Sequence, residues 1–453
     1  MIAARQENAR MLASILGIGE EEATECLDRT VLVTAAPDAP ARWVDEILLL
    51  LSLTVNVTHD AADAVDGELV LGSAGPRSEA RHIWASLGNN GVLVSDKVLL
   101  PAMGKPHPFL CGLAACPVVA AAIRLVVADT AFPPARYPLR IDFGRLGIPA
   151  ASLDLDHELT GAMLVGAGAV GHGFLRALRY LKVRGELSIV DPKRVGAGNF
   201  NRCTFLEPDD LDDDKAAVLA ARAQGDFPDL LLKPVVAEFR DVCRTSGPPA
   251  TAIVTVDSRR ARRSIQGELP GRVLDASTTD IRAVVVHSHR QPNPHACLSC
   301  IYAHVPEEHL RERAIADGLG IELEHVMEGF ISEAVAAEIV ARNPSIEAGA
   351  ITGMAYDSLF KQLCAAQTLQ GHDNRQVLAP FAFVSVLAGY LLVIEMLRSE
   401  HSVEDCNYWA VDPWGEPVQR RRVLRPRKPD CEFCSRPEVG IAARELWGRT
   451  KAA

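Results

Sequence analysis

Three glycines and a distal aspartate stand in the order that suits nucleotide binding. The glycines form a G-x-G-x-x-G loop, and the acid follows about twenty residues after the last of them: Gly166, Gly168, Gly171 and Asp191. A side chain in such a loop would keep a phosphate away from the backbone N–H groups, and glycine also adopts the positive φ values that such turns need. A carboxylate at this distance can accept hydrogen bonds from a ribose. The pattern therefore predicts a nucleotide site.

A second set of polar side chains follows the aspartate. Asn199 and Arg202 can donate to phosphate oxygens, and Lys215 can place a positive charge on them. Further on, Asp257 follows the apolar run Ala252–Val256, where a carboxylate is well placed to hold Mg²⁺ on a triphosphate. A dehydrogenase needs no such cluster. The ordered set therefore favours a nucleoside triphosphate.

These residues resemble the ubiquitin-activating-enzyme superfamily that includes ThiF and MoeB, over roughly residues 136–440. The matching pieces are GAGAVG, the strand-end aspartate, the N-x-x-R segment, the lysine and the aspartate in TVDSRRAR. The resemblance implies ATP-dependent adenylation of the C-terminal carboxylate of a ubiquitin-like or sulfur-carrier protein. It also implies that Asp191 binds ribose, that the phosphates contact Asn199, Arg202 and Lys215, and that Asp257 serves Mg²⁺. The family usually has Gln after the arginine, where this chain has Cys203.

Two Cys-x-x-Cys pairs supply four thiolates, at Cys297, Cys300, Cys431 and Cys434. Four thiolates are the ligand set of a closed, tetrahedral structural zinc. The pairs lie about 130 residues apart, so we predict a Zn²⁺ ion that pins the C-terminal tail back onto a preceding domain. A redox pair is the alternative, but neither pair is predicted to open a helix after a strand. His295 is predicted to lie outside the four-ligand set.

A thioester-forming cysteine is a separate question. Cys364, in the segment YDSLFKQLCAAQTL, has Lys361 three residues before it, which could lower its pKa. The alternative is a half-buried helix cysteine packed with Phe360 and Leu363. Cys203 is the rival nucleophile because it stands next to Arg202. Without a catalytic cysteine the protein could still adenylate its substrate, as MoeB-like members do.

Apolar periodicity predicts the elements that position these residues. A strand over Ala162–Val165, a helix with Phe174, Leu175 and Leu178, and a strand over Leu187–Val190 surround the glycine loop. We therefore expect an α/β chain with a doubly wound, Rossmann-like adenylation domain. A smaller α/β domain is expected before it, and a helical crossover insertion and the zinc-pinned tail after the glycine loop.

Residues 1–135 are predicted to be an inactive, adenylation-like α/β domain, because no phosphate loop follows their first strand. The stretch GELVLGSAGPRSEARHIW echoes TAIVTVDSRRARRSIQ, and a helix is expected over Ala80–Leu87. An unrelated α/β cap domain is the alternative. In the family, an arginine from a partner's N-terminal helix reaches the ATP phosphates, and Arg5 or Arg10 could do so here.

The remaining boundaries follow from composition. Residues 136–302 and 376–453 are predicted to form the two parts of the adenylation domain. Residues 303–375 are a charged, helical insertion in which family members carry the catalytic cysteine. The apolar stretch Pro380–Leu397 is predicted to be a helix that returns the chain to the core.

The composition limits the classes of partner and the cellular compartment that we expect for the protein. The 453 residues carry a net charge of −11, which does not favour nucleic acid. The apolar runs are too short or too interrupted for a membrane span, and the N-terminus lacks a secretory signal, so a cytoplasmic protein is expected. Eleven cysteines without a signal favour metal or thiol chemistry over disulfides.

The predicted function is activation of a ubiquitin-like protein, followed by thioester formation and transfer to a conjugating enzyme. The Ala- and Arg-rich composition suggests a bacterial source. The resemblance further implies a role in antiviral defence and, as one option, a homodimer. Three alternatives stay open: activation of a sulfur carrier without a thioester, a non-enzymatic scaffold that binds a ubiquitin-like tail, and an NAD-dependent oxidoreductase with a structural zinc.

Overall fold

Two β-sheets with helices packed on their faces form the framework of the protein in the computed structural model. The structure describes residues 2–98, 104–127, 136–279, 282–328, 331–344, 346–352, 354, 356, 359–360, 363, 381–401, 406–416 and 422–448. Cys364 and Lys361 lie outside these residues. The alternation of strands and helices confirms the predicted α/β class.

The first sheet is built by the N-terminal part of the chain. Its strands are β1 (Thr30–Ala35), β2 (Asn56–Thr58), β3 (Gly67–Leu71), β4 (Arg81–Gly88), β5 (Gly91–Ser95) and β6 (Leu139–Asp142). Its helices are α1 (Ile2–Leu16), α2 (Glu20–Leu27), α3 (Ala41–Ser52) and α4 (Pro108–Val126). The strand order is β2-β1-β3-β4-β5-β6. The first four strands run parallel, and the last two pair antiparallel.

Helix α4 supplies much of the apolar surface that covers this sheet. The expectation that every apolar run is too short for a membrane span is wrong here, because α4 is, among the described residues, the one helix long and apolar enough to cross a membrane. However, 83% of its most apolar window is buried inside the protein. It packs against α3 and against strands of the first sheet. Its apolar length therefore serves the core.

The second sheet carries the glycine loop. Its strands are β7 (Asp156–Glu158), β8 (Ala162–Val165), β9 (Lys182–Val190), β10 (Leu230–Val235), β11 (Thr251–Val254), β12 (Arg272–Thr279), β13 (Ala283–Arg290) and β14 (Tyr408–Val411). The main strand order is β10-β9-β8-β11-β12-β13-β14, and β7 pairs with β9. The strands β10, β9, β8, β11 and β12 run parallel to one another, while β13 and β14 pair antiparallel.

Eleven α-helices whose bounds the structure gives accompany the second sheet or lie in residues 303–375, the predicted insertion. They are α5 (Ala169–Leu178), α6 (Lys215–Ala223), α7 (Phe239–Ser246), α8 (Arg259–Gly267), α9 (Leu298–Ile301), α10 (Pro306–Leu319), α11 (Leu323–Glu328), α12 (Glu333–Arg342), α13 (Ala348–Ile351), α14 (Ala382–His401) and α15 (Pro437–Trp447). The insertion helices have a small apolar core of their own, with Ile315, Val335, Ile339 and Tyr356 buried in it.

Strand β4 corrects one prediction from the sequence. The helix expected over Ala80–Leu87 is wrong, because these residues pair in parallel with β3 and antiparallel with β5. Ile83, Ala85 and Leu87 are buried at every second position, which is the spacing by which a strand presents one face. The echo between the two sequence stretches therefore has no structural counterpart, since β3 leads into a strand and β11 into helix α8.

The order of the second sheet reverses between β8 and β11. The chain leaves β8 towards β9 and β10, then returns to the other side of β8 to form β11. In a doubly wound sheet, ligands bind in the crevice outside the carboxyl ends of the strands at such a switch point. The residues that follow Val165 and Val254 are therefore at the expected binding edge.

Helices α5 and α14 approach each other closely through two glycines. A Cβ added to Gly173 would lie 2.6 Å from the carbonyl oxygen of Ser385, and one added to Gly389 would lie 2.1 Å from the carbonyl carbon of Gly173. Glycine is required at both positions because any side chain would collide with backbone. This contact fixes α5, and with it the glycine loop, against the long buried helix α14.

A buried ion cluster joins the two sheets. Glu46 of α3 accepts hydrogen bonds from Arg176 Nε and Arg179 Nη2, each at 2.7 Å, and from the Tyr180 hydroxyl at 2.6 Å. Glu46 is 1% and Arg176 8% exposed, so removing Glu46 would leave the buried Arg176 without its carboxylate partner and cost about 3–5 kcal/mol. One apolar core also runs between the sheets. The first sheet is thereby attached directly to helix α5.

Candidate active site

A cavity of about 890 Å³ opens at the carboxyl ends of β8 and β11. Its size lies within the range of about 300–1,000 Å³ of small-molecule sites. The predicted nucleotide-site residues that line it are Gly166, Gly168, Asp191, Asn199, Arg202, Lys215 and Asp257. Separate stretches of the sequence thus meet at one edge of the sheet.

The glycine loop is shaped by contacts that exclude side chains. Gly166 has a φ of +106°, and the Thr255 hydroxyl donates to its carbonyl oxygen at 2.6 Å. A Cβ on Gly171 would lie 2.4 Å from that same oxygen, so this predicted residue supports the loop. A Cβ on Gly168 would meet nothing within 4 Å. The backbone at the start of α5 is therefore open to a phosphate, as the nucleotide prediction requires.

Asp191 is held in place by the backbone around it. Its Oδ2 accepts from the Ala167 N–H at 2.7 Å, and its Oδ1 accepts from the Lys193 N–H at 2.8 Å. The residue is only 7% exposed, yet it lines the cavity. A carboxylate oxygen has two lone pairs, so each oxygen can still accept a ribose hydroxyl.

Arg202 is positioned by a chain of hydrogen bonds that begins in the N-terminal part. Its Nη1 donates to the Gly198 carbonyl and to Asn201 Oδ1, both at 2.6 Å. Asn201 in turn donates to Asn8 Oδ1 of helix α1 at 2.7 Å, and Asn8 donates to the Leu53 carbonyl at 2.8 Å. Both asparagines are almost fully buried. Helix α1 therefore helps to orient a cavity arginine, and nothing in the local sequence around Arg202 points to Asn8.

Lys215 begins helix α6 at the edge of the cavity. Its N–H donates to the Lys193 carbonyl at 2.9 Å, which ties the start of α6 to the loop after Asp191. His172 is buried behind this edge, where its Nδ1 accepts from the Phe205 N–H at 3.2 Å. Burial, reinforced by the charge of Lys215, lowers the pKa of His172 to about 3. The imidazole is thus neutral and serves as an acceptor for the loop.

Asp257 has a partner that the sequence did not indicate. Lys193 lines the cavity, and its Nζ lies 3.6 Å from Asp257 Oδ1. The charge of Asp257, together with Asp191 and Glu238, raises the pKa of Lys193. The only sequence signal for Lys193 was its position two residues after the strand-end aspartate. The cavity thus holds a further cation between the two predicted carboxylates.

The arginines of helix α8 are paired with acids. Arg260 contacts Glu312, Arg262 Nε lies 2.7 Å from Asp275 Oδ1, and Arg263 Nη1 lies 3.0 Å from Glu308 Oε2. Glu308 and Glu312 belong to α10, so this basic patch holds the first helix of the insertion. These three arginines are therefore paired with acidic groups of the same chain.

The four predicted zinc ligands form one cluster. The Sγ atoms of Cys297, Cys300, Cys431 and Cys434 all lie within 4.8 Å of one another. The Cys297–Cys431 and Cys300–Cys434 pairs have Sγ–Sγ distances of 3.8 and 3.4 Å. Sulfur atoms about 2.3 Å from a tetrahedral zinc would be about 3.8 Å apart, so the donor set fits the ion. Cys297 directly precedes α9, a short helix that the sequence did not predict, but its sulfur joins a four-thiol cluster rather than an isolated redox pair.

Cys203 is a poor nucleophile in this structure. It is 3% exposed, and burial raises the pKa of its thiol despite the charges of Arg202 and Lys215. Thiolate, rather than thiol, is the reactive form. The burial of Cys203 therefore favours a packing role under the loop. Cys364, outside the described residues, stays a prediction.

The two candidate arginines of helix α1 are paired within the N-terminal part. Arg5 Nη1 lies 3.1 Å from Asp28 Oδ1, and Arg10 Nη1 lies 3.0 Å from Glu7 Oε1. Neither is among the described residues that line the cavity. Their contact with a nucleotide bound to a partner copy stays a prediction.

The second sheet, parallel except for β13 and β14 and with a glycine loop at its switch point, defines a doubly wound nucleotide-binding domain of the Rossmann type. The model of the ThiF family matches residues 157–433, which is more than half of the chain, and the protein belongs to this family. The model of the E1 N-terminal domain matches residues 1–149. The resemblance noted in the sequence is thus confirmed at the level of the family.

Individual relatives are distant. The uncharacterized protein y4jF of Sinorhizobium fredii (strain NBRC 101917 / NGR234) is 26% identical over 266 residues, which cover 55% of this chain and 50% of the relative. The chain therefore spans about half the length of the curated relative it matches. Among solved structures, E. coli MccB with ATP has 13% identity and a TM-score of 0.37 over 65% of this chain and 70% of that chain. MccB with MccA-N7isoASN has 12% identity and a TM-score of 0.38 over 64% and 70%.

Proposed function

We propose that the protein uses Mg·ATP to adenylate the C-terminal carboxylate of a ubiquitin-like protein. The observation that carries the proposal is the convergence on one cavity of the open glycine loop, two carboxylates and the cations beside them. Membership of the ThiF family agrees with it. A scaffold that only binds a tail has no need of this charged set.

The nucleotide would bind with its phosphates at the start of α5 and its ribose at Asp191. The N–H groups of a helix N-terminus and its positive dipole end favour phosphate oxygens. Gly168 leaves room for them, and the fixed carboxylate of Asp191 would accept the ribose hydroxyls. Asn199 and Arg202 would donate to the phosphates.

In the proposed reaction, a carboxylate oxygen of the partner's last residue attacks the α-phosphorus of ATP. A new O–P bond forms as the bond to the β-phosphate oxygen breaks, and pyrophosphate leaves with the bonding electrons. Arg202 and Lys215 would stabilise the charge that develops on the phosphates. Asp257 would hold the Mg²⁺ ion, which supplies further neutralisation of that charge. Lys193 Nζ lies 3.6 Å from Asp257 Oδ1, so it adds a positive charge beside this carboxylate.

A thioester step would follow if Cys364 is competent. Its thiolate would attack the acyl carbonyl, the C–S bond would form, and AMP would leave as the C–O bond breaks. A conjugating enzyme would then receive the acyl group. The zinc would have a structural role, because four thiolates leave no open coordination position.

The test is ATP–pyrophosphate exchange by the purified protein with a candidate ubiquitin-like partner. Exchange should require the partner's intact C-terminus, and a partner that lacks its last residues is the control. Cys364→Ala should keep the exchange but lose a reductant-sensitive adduct with the partner, while Cys203→Ala should keep both. Exchange without any adduct in the wild type would favour the sulfur-carrier alternative. ATP binding without exchange would contradict adenylation.

Replacing Asn8 tests whether the N-terminal helix α1 helps to orient Arg202. Asn8→Ala would leave the buried Asn201 amide without its acceptor, which costs about 1–3 kcal/mol of stability. Arg202 would then lose the orientation of its partner, and we expect exchange to fall about tenfold, or ~1.4 kcal/mol in activation free energy. Exchange rates measured below the melting transition check this.

The matched control is Thr34→Ala. Thr34 is also buried in the N-terminal part, and its hydroxyl donates to Glu68 Oε1 at 2.6 Å rather than to the loop around Arg202. Equal losses of exchange in the two variants would contradict a positioning role for Asn8.

A further inference from the structure

A second cluster of metal-ligand side chains lies on the same cavity, away from the four cysteines. The geometry points to His304, His309 and Glu312 as a site for a divalent transition metal ion of the Zn²⁺ class. The ligand atoms of these three residues lie within 4.8 Å of one another. Neither the adenylation chemistry nor the four-thiol cluster uses them, so the inference is independent of the proposed function.

The spacing of the three residues suits one ion. His309 and Glu312 are three residues apart on helix α10, which places them on one face, and His304 lies two residues before the start of that helix. His304 Nε2 is 3.3 Å from Glu312 Oε1, and His309 Nδ1 is 3.2 Å from Glu312 Oε2. Ligand atoms about 2.0–2.2 Å from one metal ion lie about 3.3–3.6 Å apart in a tetrahedral arrangement. Small side-chain adjustments would therefore place one ion among the three.

The Glu312 carboxylate is already buried and oriented in the way that a metal ligand needs. Glu312 is 5% exposed, and its Oε2, which lies 3.2 Å from His309 Nδ1, makes no well-aligned hydrogen bond with the described residues. The other oxygen is held by Arg260 of helix α8. An outer-shell contact of this kind orients a metal ligand, while a buried carboxylate oxygen without a donor is otherwise costly. A bound cation would satisfy that oxygen.

The choice of metal class follows from the donors. Two imidazoles and one carboxylate suit Zn²⁺ and similar transition metals, whereas Mg²⁺ prefers oxygen donors throughout. Three protein ligands leave a coordination position open, and all three residues line the cavity. Water or an anionic oxygen of a molecule in the cavity can therefore complete the coordination.

A metal at this place would also connect two elements. Arg260 follows Asp257 by three residues on the adjoining helix, and its guanidinium contacts the proposed ligand Glu312. An ion on Glu312 would therefore stabilise the start of the insertion against the helix that adjoins the nucleotide end of the cavity.

The experiment is a titration of the metal-free full-length protein with Co²⁺, followed by absorption. The four-thiol cluster should give sulfur-to-metal charge-transfer bands with the first equivalent. A second equivalent should bind with ligand-field bands and no added charge transfer. His304→Ala with His309→Ala should remove it, and Glu312→Gln, which keeps an oxygen for Arg260 but no charge, should weaken it at least about tenfold.

The matched control is His59→Ala, an exposed histidine of the N-terminal part. It should retain both equivalents, and circular dichroism should report the same fold for every variant. A wild-type protein that binds one equivalent only, or a double-histidine variant that still binds two, would overturn the inference. These readouts need no catalytic activity, so they are separate from the test of adenylation.

Discussion

Replacing Asp257 by Ala is expected to lower ATP–pyrophosphate exchange at least about 100-fold while the protein stays folded. Removal of one preorganised charge-stabilising group typically costs about 10²–10³ in rate, and Asp257 is the carboxylate we assign to Mg²⁺. Its side chain is 53% exposed, so few packing contacts are lost. Lys193 would still have the negative charges of Asp191 and Glu238 near it. The change therefore does not leave this lysine without a nearby negative charge.

Asp241→Ala is the matched control for this change. Asp241 is 51% exposed and pairs with Arg244 at 3.2 Å, so it loses a surface ion pair of the same kind outside the cavity lining. We expect its exchange rate to stay near that of the wild type. Asp257→Asn should resemble Asp257→Ala, because it keeps the shape and removes the charge. An Asp257→Ala protein whose exchange stays within a few-fold of the control would contradict the metal role.

Cys431→Ser is expected to reduce zinc affinity by about 100-fold or more, because even outer-shell changes cost about 10- to 100-fold. A structural zinc site of this kind contributes on the order of 10 kcal/mol of apparent binding free energy. Its loss should release the segment 422–448, whose residues near Pro426 run beside His295. Zinc content by mass spectrometry and limited proteolysis of the C-terminal segment measure the two effects.

Cys243→Ser is the control for the zinc prediction. Cys243 is also buried, at 6% exposure, but it packs in a separate apolar cluster with Phe239 and Ile265. This variant should lose some stability and keep its full zinc content. An unchanged zinc content in Cys431→Ser would contradict the prediction that the four thiols bind zinc. Equal release of the C-terminal segment in both variants would also contradict it.

The sequence by itself determined the parts of the site that depend on local order. A glycine loop between a strand and a helix, with Asp191 at the end of the next strand, is one continuous unit whose spacing fixes its geometry. The two Cys-x-x-Cys pairs likewise indicate a zinc site, because four thiolates are a typical ligand set for zinc. Local patterns of this kind were enough to identify the family and the α/β class.

Local order was not enough where neighbours in space come from distant parts of the chain. The strand β4 has the buried alternation of a sheet, but pairing with β3 and β5 decided between strand and helix. Three contacts at the cavity join residues that no sequence periodicity connects. They are the contact of Lys193 with Asp257, the hydrogen bonds that link Asn8 through Asn201 to Arg202, and the contact of Arg260 with Glu312. Sheet order and helix packing bring these side chains together, so only the tertiary structure could decide which charges share the cavity.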